Sequence, residues 1–155
     1  MDDNTSYPAP PAGAPDNLLA LIHVLSRQIG RAFHARIAAE FDVTIAEWRV
    51  MLSLSQRPGA TANEIREMWA MEKMAVSRAV RRLERMGRIT RDVKPEDRRS
   101  YALTMTGEGR RVFERVMPAA NARYREITSA VTRDELDVLS KVLTKLVGQA
   151  RDLAD

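Results

Sequence analysis

Between Lys73 and Arg99 the chain changes its apolar period while keeping one sign of charge. From Val76 to Met86 the apolar residues recur at three- and four-residue steps, as on one face of a helix. From Arg88 to Val93 they alternate, as in a strand. Ten basic residues (Lys73, Arg78, Arg81, Arg82, Arg85, Arg88, Arg91, Lys94, Arg98 and Arg99) stand against four acidic ones (Glu84, Asp92, Glu96 and Asp97) in this segment. The local charge is +6, against +4 for the whole chain, which leaves −2 for the remainder. A field concentrated on one segment is the footprint of a polyanion site.

The register of the helical half follows from a rotation of about 100° per residue. Val76, Ala79, Val80, Leu83 and Met86 then fall on one side of the helix. Met74, Arg78, Arg81 and Arg85 fall on the opposite side. One face is apolar and the other carries a row of arginines. Gly87 is placed to stop the helix.

Around this segment the chain reads as mainly helical. Residues 1–16 hold four prolines and no apolar period, which predicts a disordered tail. This acidic, proline-rich start is unlike a secretory signal. A long helix is expected over 17–43, capped by Asp16 or Asn17, with Leu18, Leu21, Ile22, Leu25, Ile29, Phe33, Ile37 and Phe41 in one stripe. Thr44 with Glu47, Thr61 with Glu64 and Thr132 with Glu135 form three capping boxes, each opening a helix. The second of these helices is short, and a tight turn near Ala70–Glu72 separates it from the arginine-bearing helix. Lys94–Arg99 reads as a polar turn and Tyr101–Met105 as the returning strand. Thr106 caps a helix to about Ala130 that Pro118 should kink, and the last helix presents Leu136, Leu139, Val142, Leu143, Leu146 and Leu153.

Two short helices about a tight turn, the second with a basic face, make a helix-turn-helix that fits a major groove about 12 Å wide. The hairpin behind it is a wing, placed to reach neighbouring phosphates or the minor groove. The fold class is mainly α with a small β-hairpin wing: a winged helix-turn-helix lobe over 44–105, flanked by helices over 17–43 and 106–155. The apolar stripes at both ends exceed what so small a lobe needs and point to a dimer seam, with a self-contained helical bundle as the alternative. Arginine forks onto guanine O6 and N7, and any arginine or lysine neutralises phosphate. Arg82 and Arg88 are the members of the row best suited to structural or phosphate-facing roles.

Residues from about Thr44 to Arg110 resemble the MarR family of transcriptional regulators. The resemblance is carried by Thr61-Ala62-Asn63-Glu64-Ile65, by Val76 through Gly87, and by a wing signature of Asp97, Arg99, Leu103, Met105-Thr106 and Gly109-Arg110. It implies a homodimer built from the first helix and the last two. It also implies repression of a pseudo-palindromic operator in double-stranded DNA, and release by a small effector such as an aromatic acid or phenol. By family position the recognition helix offers Met74, Ala75, Ser77, Arg78 and Arg81, to which the basic pattern adds Lys73 and Arg85. The wing offers Lys94, Arg98 and Arg99, with Asp97 as its brace. Family members often carry Ser-Thr where this chain has Met74-Ala75, an apolar pair that can touch a thymine methyl.

An effector would meet Arg27, Arg31 and His34 on the first helix, where arginine clamps a carboxylate, and Trp48 beside them. Trp48 and Trp69 also suit the core, and His34 an exposed polar face. Two other functions fit the same lobe: an architectural DNA binder without an effector, and a winged-helix adaptor for protein partners. An enzyme fits poorly. The chain has no cysteine, two histidines and no glycine-rich phosphate loop, so thiol chemistry and cysteine-held zinc are excluded and no cofactor or metal is expected. No apolar run approaches a membrane span, and a cytoplasmic, membrane-independent protein is expected.

Overall fold

The computed structural model describes residues 17–94 and 97–153, without the side chains of Arg36, Lys94 and 97–100. The expected tail over 1–16 lies outside the described residues. In chain order the elements are α1 (Leu18–Phe33), a π turn (His34–Ala38), α2 (Ala39–Phe41), α3 (Ile45–Gln56), α4 (Ala62–Trp69), α5 (Lys73–Arg85), β1 (Ile89–Lys94), β2 (Asp97–Met105), α6 (Gly107–Thr128) and α7 (Arg133–Asp152). They divide into two compact units between Met117 and Pro118. No helix among the described residues is long and apolar enough to cross a membrane.

All three capping boxes form. Thr44, Thr61 and Thr132 each accept a bond from the amide of the glutamate three residues on, and that glutamate reaches back to the threonine amide. Of the two predicted caps of the first helix, Asn17 stands at the N-cap without a side-chain bond, and Asp16 lies outside the described residues. The first helix is also not continuous. It is interrupted by the π turn and stops at Asp42, whose left-handed backbone (φ 50°) no helix can continue. Its stripe divides in the last turn of α1, just before that interruption. Leu18, Leu21, Leu25 and Ile29 are exposed, whereas Phe33 and Ile37 are buried.

The first unit contains the core. Val50, Met51 and Leu54 of α3, Ile65 of α4, Val76, Val80 and Leu83 of α5, Ile89 of β1 and Leu103 of β2 are each 2% exposed or less. Burial of each such side chain is worth roughly 1.5–3 kcal/mol. Trp48 is buried too, its ring stacked on Phe113 (centroids 5.1 Å apart) and tilted against Phe33 (6.1 Å). Trp69 is only half-buried; its Nε1 donates to Ser53 Oγ at 2.8 Å.

The hairpin is antiparallel, with Ile89 opposite Met105, Arg91 opposite Leu103 and Val93 opposite Tyr101. Its register breaks between Val93 and Lys94, and Lys94 then faces Asp97. The strands run further than the alternation predicts. Residues 97–99, expected in a turn, belong to β2, because backbone pairing needs no apolar alternation. Leu103 fastens the hairpin to the loop after α3: its amide donates to Ala60 O (3.1 Å) and its carbonyl accepts from Gly59 N (2.9 Å).

In the second unit, the C-terminal part of α6 and all of α7 are amphipathic by sequence, yet α7 buries none of its side chains. Val138, Leu139, Val142, Leu146 and Val147 are all exposed.

Candidate nucleic-acid interface

Helix α5 is positioned by its own apolar face. Val76, Ala79, Val80 and Leu83 are buried, which turns the opposite side outward. Lys73, Met74, Arg78, Arg81 and Arg85 are exposed there, with Ala75 and Ser77 half-exposed. None of the four cations forms an ion pair among the described residues. The exposed Glu72 stands at the N-cap but its side chain makes no capping bond, and no acid sits in the first turn, so the first-turn amides are left without a side-chain partner. The turn that sets α5 against α4 places Ala70 in the left-handed region (φ 47°), a conformation usually left to glycine.

Three other arginines of the basic segment are held by the protein. Arg82 NH1 lies 2.6 Å from Glu47 Oε2, and the same guanidinium also pairs with the Asp42 carboxylate. The hydrogen bond it donates to Glu47, and then that to Asp42, raise its pKa above the ordinary arginine value, so it stays charged. Arg88 is buried and donates to the Asp42 carbonyl at 2.8 Å. Arg91 pairs with Glu84 at 2.9 Å, and its guanidinium sits 6.0 Å from the Tyr101 ring centroid. The structural role read for Arg82 and Arg88 is therefore what the geometry provides. The capture of Arg91 is an addition that the sequence pattern does not announce.

A groove of about 440 Å³ runs between α4, α5 and β1. Asn63, Arg66, Lys73, Ser77 and Arg91 line it, over a floor that includes Val76 and Val80. Asn63 and Arg66 join this basic surface from α4, three residues apart on one face, with Arg66 Nε donating to Asn63 Oδ1 at 3.1 Å. That spacing is the signal that could have found them, and the acidic neighbours Glu64 and Glu67 obscure it.

The end of α5 is strapped to the start of α6. Gly87 adopts a left-handed backbone (φ 65°) that ends the helix. Thr106 Oγ1 donates to Gly87 O (2.6 Å) and accepts from Gly109 N (3.0 Å), while Thr106 N donates to Arg88 O (3.0 Å). Gly109 packs so closely that a Cβ there would lie 2.0 Å from Arg88 O.

Lys94 and Asp97 pair by backbone at the tip of the hairpin, and Arg98 and Arg99 follow on β2; the side chains of all four, and with them the bracing role of Asp97, lie outside the described residues. Arg27 and Arg31 line a shallow groove of about 360 Å³ along α1 together with His23, Val24 and Gln28. His34 is exposed on the π turn and Trp48 is covered by Phe33 and Phe113; neither lines that groove.

The MarR family model matches residues 43–101, from the loop before α3 into β2. The HTH-type transcriptional repressor MdtR of Bacillus subtilis is 31% identical over 108 residues, covering 70% of each chain. The homoprotocatechuate degradative operon repressor of Escherichia coli is 19% identical over 129 residues, 83% of this chain and 87% of that one. A mutant MarR from E. coli complexed with operator DNA superposes with a TM-score of 0.73 at 25% identity, covering 83% of this chain and 92% of that one. With a buried-backed basic helix, a hairpin fastened behind it and these relatives, the chain belongs to the MarR family of winged-helix, DNA-binding transcriptional regulators.

Proposed function

We propose that this chain is a homodimeric, ligand-responsive repressor acting in the cytoplasm. It binds a pseudo-palindromic operator and is released by a small aromatic acid or phenol, or its thioester. One observation carries the DNA-reading assignment: Arg78, Arg81 and Arg85 stand exposed on the outer face of α5, while Arg82, Arg88 and Arg91 are consumed by internal partners. Phosphate contacts from Lys73, Arg81, Arg85 and the wing residues Lys94, Arg98 and Arg99 supply most of the affinity. Arg78, with Ser77 beside it, supplies base discrimination.

The exposed apolar faces of α1 and α7 support a second copy as their cover. A two-fold dimer sets two recognition helices about 34 Å apart, one turn of DNA. For the effector, Arg27 and Arg31 on α1 offer a carboxylate clamp beside His23, and the E. coli relative is named as the repressor of a homoprotocatechuate degradative operon. An effector acts only if it binds the docked and undocked spacings of the dimer differently.

The test is a titration of the full chain against an operator selected from random duplexes and against its scrambled counterpart. Arg78→Ala should bring the two affinities together while leaving the salt dependence within about one unit of slope. Retained discrimination removes Arg78 from base reading. A selection that enriches no palindrome favours an architectural binder.

A further inference from the structure

Met74 is 57% exposed, in the first turn of α5. It lies within about 60° of Arg78, Arg81 and Arg85 around the helix. An unbranched thioether left in water among three cations has little to do in the folded lobe. It cannot donate a hydrogen bond to a base edge or neutralise a phosphate. Only one group in the major groove rewards an apolar contact of this kind, the C5 methyl of thymine.

We infer that Met74 is a specificity-determining residue, reading a thymine methyl in each half-site. The inference rests on the DNA-reading role proposed for α5. Met74 and Arg78 are separated by one helical turn, about 6 Å along the axis, so the thymine falls within about two base pairs of the guanine read by Arg78. The flexible side chain lets the sulfur and terminal methyl settle against the thymine without demanding one rotamer. The two residues then divide the work: Arg78 recognises a pair of acceptors, and Met74 the only apolar feature beside them.

The experiment replaces each thymine of the selected operator, one at a time, by deoxyuridine, which removes the methyl and leaves the base pairing unchanged. For the full-length protein, one position per half-site should lose about fourfold in affinity, the value of one buried carbon. Met74→Ser should bind the original operator more weakly and be indifferent to deoxyuridine at that position. Met74→Leu, which keeps an apolar surface, should retain the sensitivity. Equal sensitivity in the parent and Met74→Ser, or no sensitive thymine near the guanine, overturns the inference while leaving operator binding intact. A selection that enriches no sequence overturns the DNA-reading role itself, and this inference with it.

Discussion

Helices α5 and α7 follow the same amphipathic rule with opposite results. The apolar face of α5 is sealed by α3, α4 and the hairpin, with Leu83 fully buried. Helix α7 is longer, at 20 residues against 13, opens on a complete capping box, and buries nothing. Amphipathicity states that a face requires cover; it does not state where the cover comes from. In α5 the cover is intramolecular, and the polar side is left free to bind. In α7 the apolar side is the open one, and the proposed dimer seam is its cover.

Four experiments press on that contrast, beginning with the sealed side. Gly109→Ala forces a Cβ into the Arg88 carbonyl and should lower the stability of the first unit by about 3 kcal/mol, or roughly 10 °C in melting temperature. An unchanged melting temperature would mean that the strap between α5 and α6 yields easily. Paired substitution of Leu139→Asp and Leu146→Asp on the open side should give a folded monomer in sedimentation, with operator affinity reduced about a hundredfold by loss of bivalency. A dimer that survives both charges places the seam elsewhere.

Arg81 and Arg82 are adjacent and belong to opposite categories. Arg82→Met leaves Glu47 buried without its cation and should cost about 2 kcal/mol, less than for a fully buried pair because the Arg82 side chain is 29% exposed. Arg81→Met should leave the stability within about 0.5 kcal/mol of the parent and shift the salt slope of DNA binding by about one. If both variants lose stability alike, the two faces are not distinct.

The smallest effect concerns the cap of α7. Bonds from the Thr132 amide and then its hydroxyl hold the Glu135 carboxyl below the ordinary glutamate range. A lowered folded pKa gives stability that is present above the ordinary value and is lost as the pH falls through the lowered one. Glu135→Gln should therefore melt slightly earlier than the parent at neutral pH, and the gap should close in acid. A gap independent of pH would assign the effect to packing.

The parts of this fold that local chemistry decides can be read from the chain. The capping boxes, the stop at Gly87 and the inner face of α5 each depend on residues within one or two turns. The structural fate of Arg82 and Arg88 is readable only as a category. Their partner Asp42 lies 40 and 46 residues away, and for Arg88 it offers a backbone carbonyl that no side-chain pattern announces. The capture of Arg91 needs the hairpin turned back beneath α5, so that Glu84 and Tyr101 reach one guanidinium. The full length of β2 and the break in the first helix also escape the periodicity, because backbone pairing and a π turn leave no mark in apolar spacing.

That break sets an angle. A π turn takes up one residue more than an α-helix would use, and one residue is roughly 100° of rotation. The direction in which Leu21, Leu25 and Ile29 point, relative to the part of the lobe that follows the π turn, is thus fixed by a count of residues and not by any side chain. A single insertion or deletion between His34 and Ala38 would re-aim the exposed stripe while leaving the composition of both faces intact. In a chain where a stripe must meet its mate at a set spacing, length itself is an inherited dimension of the interface.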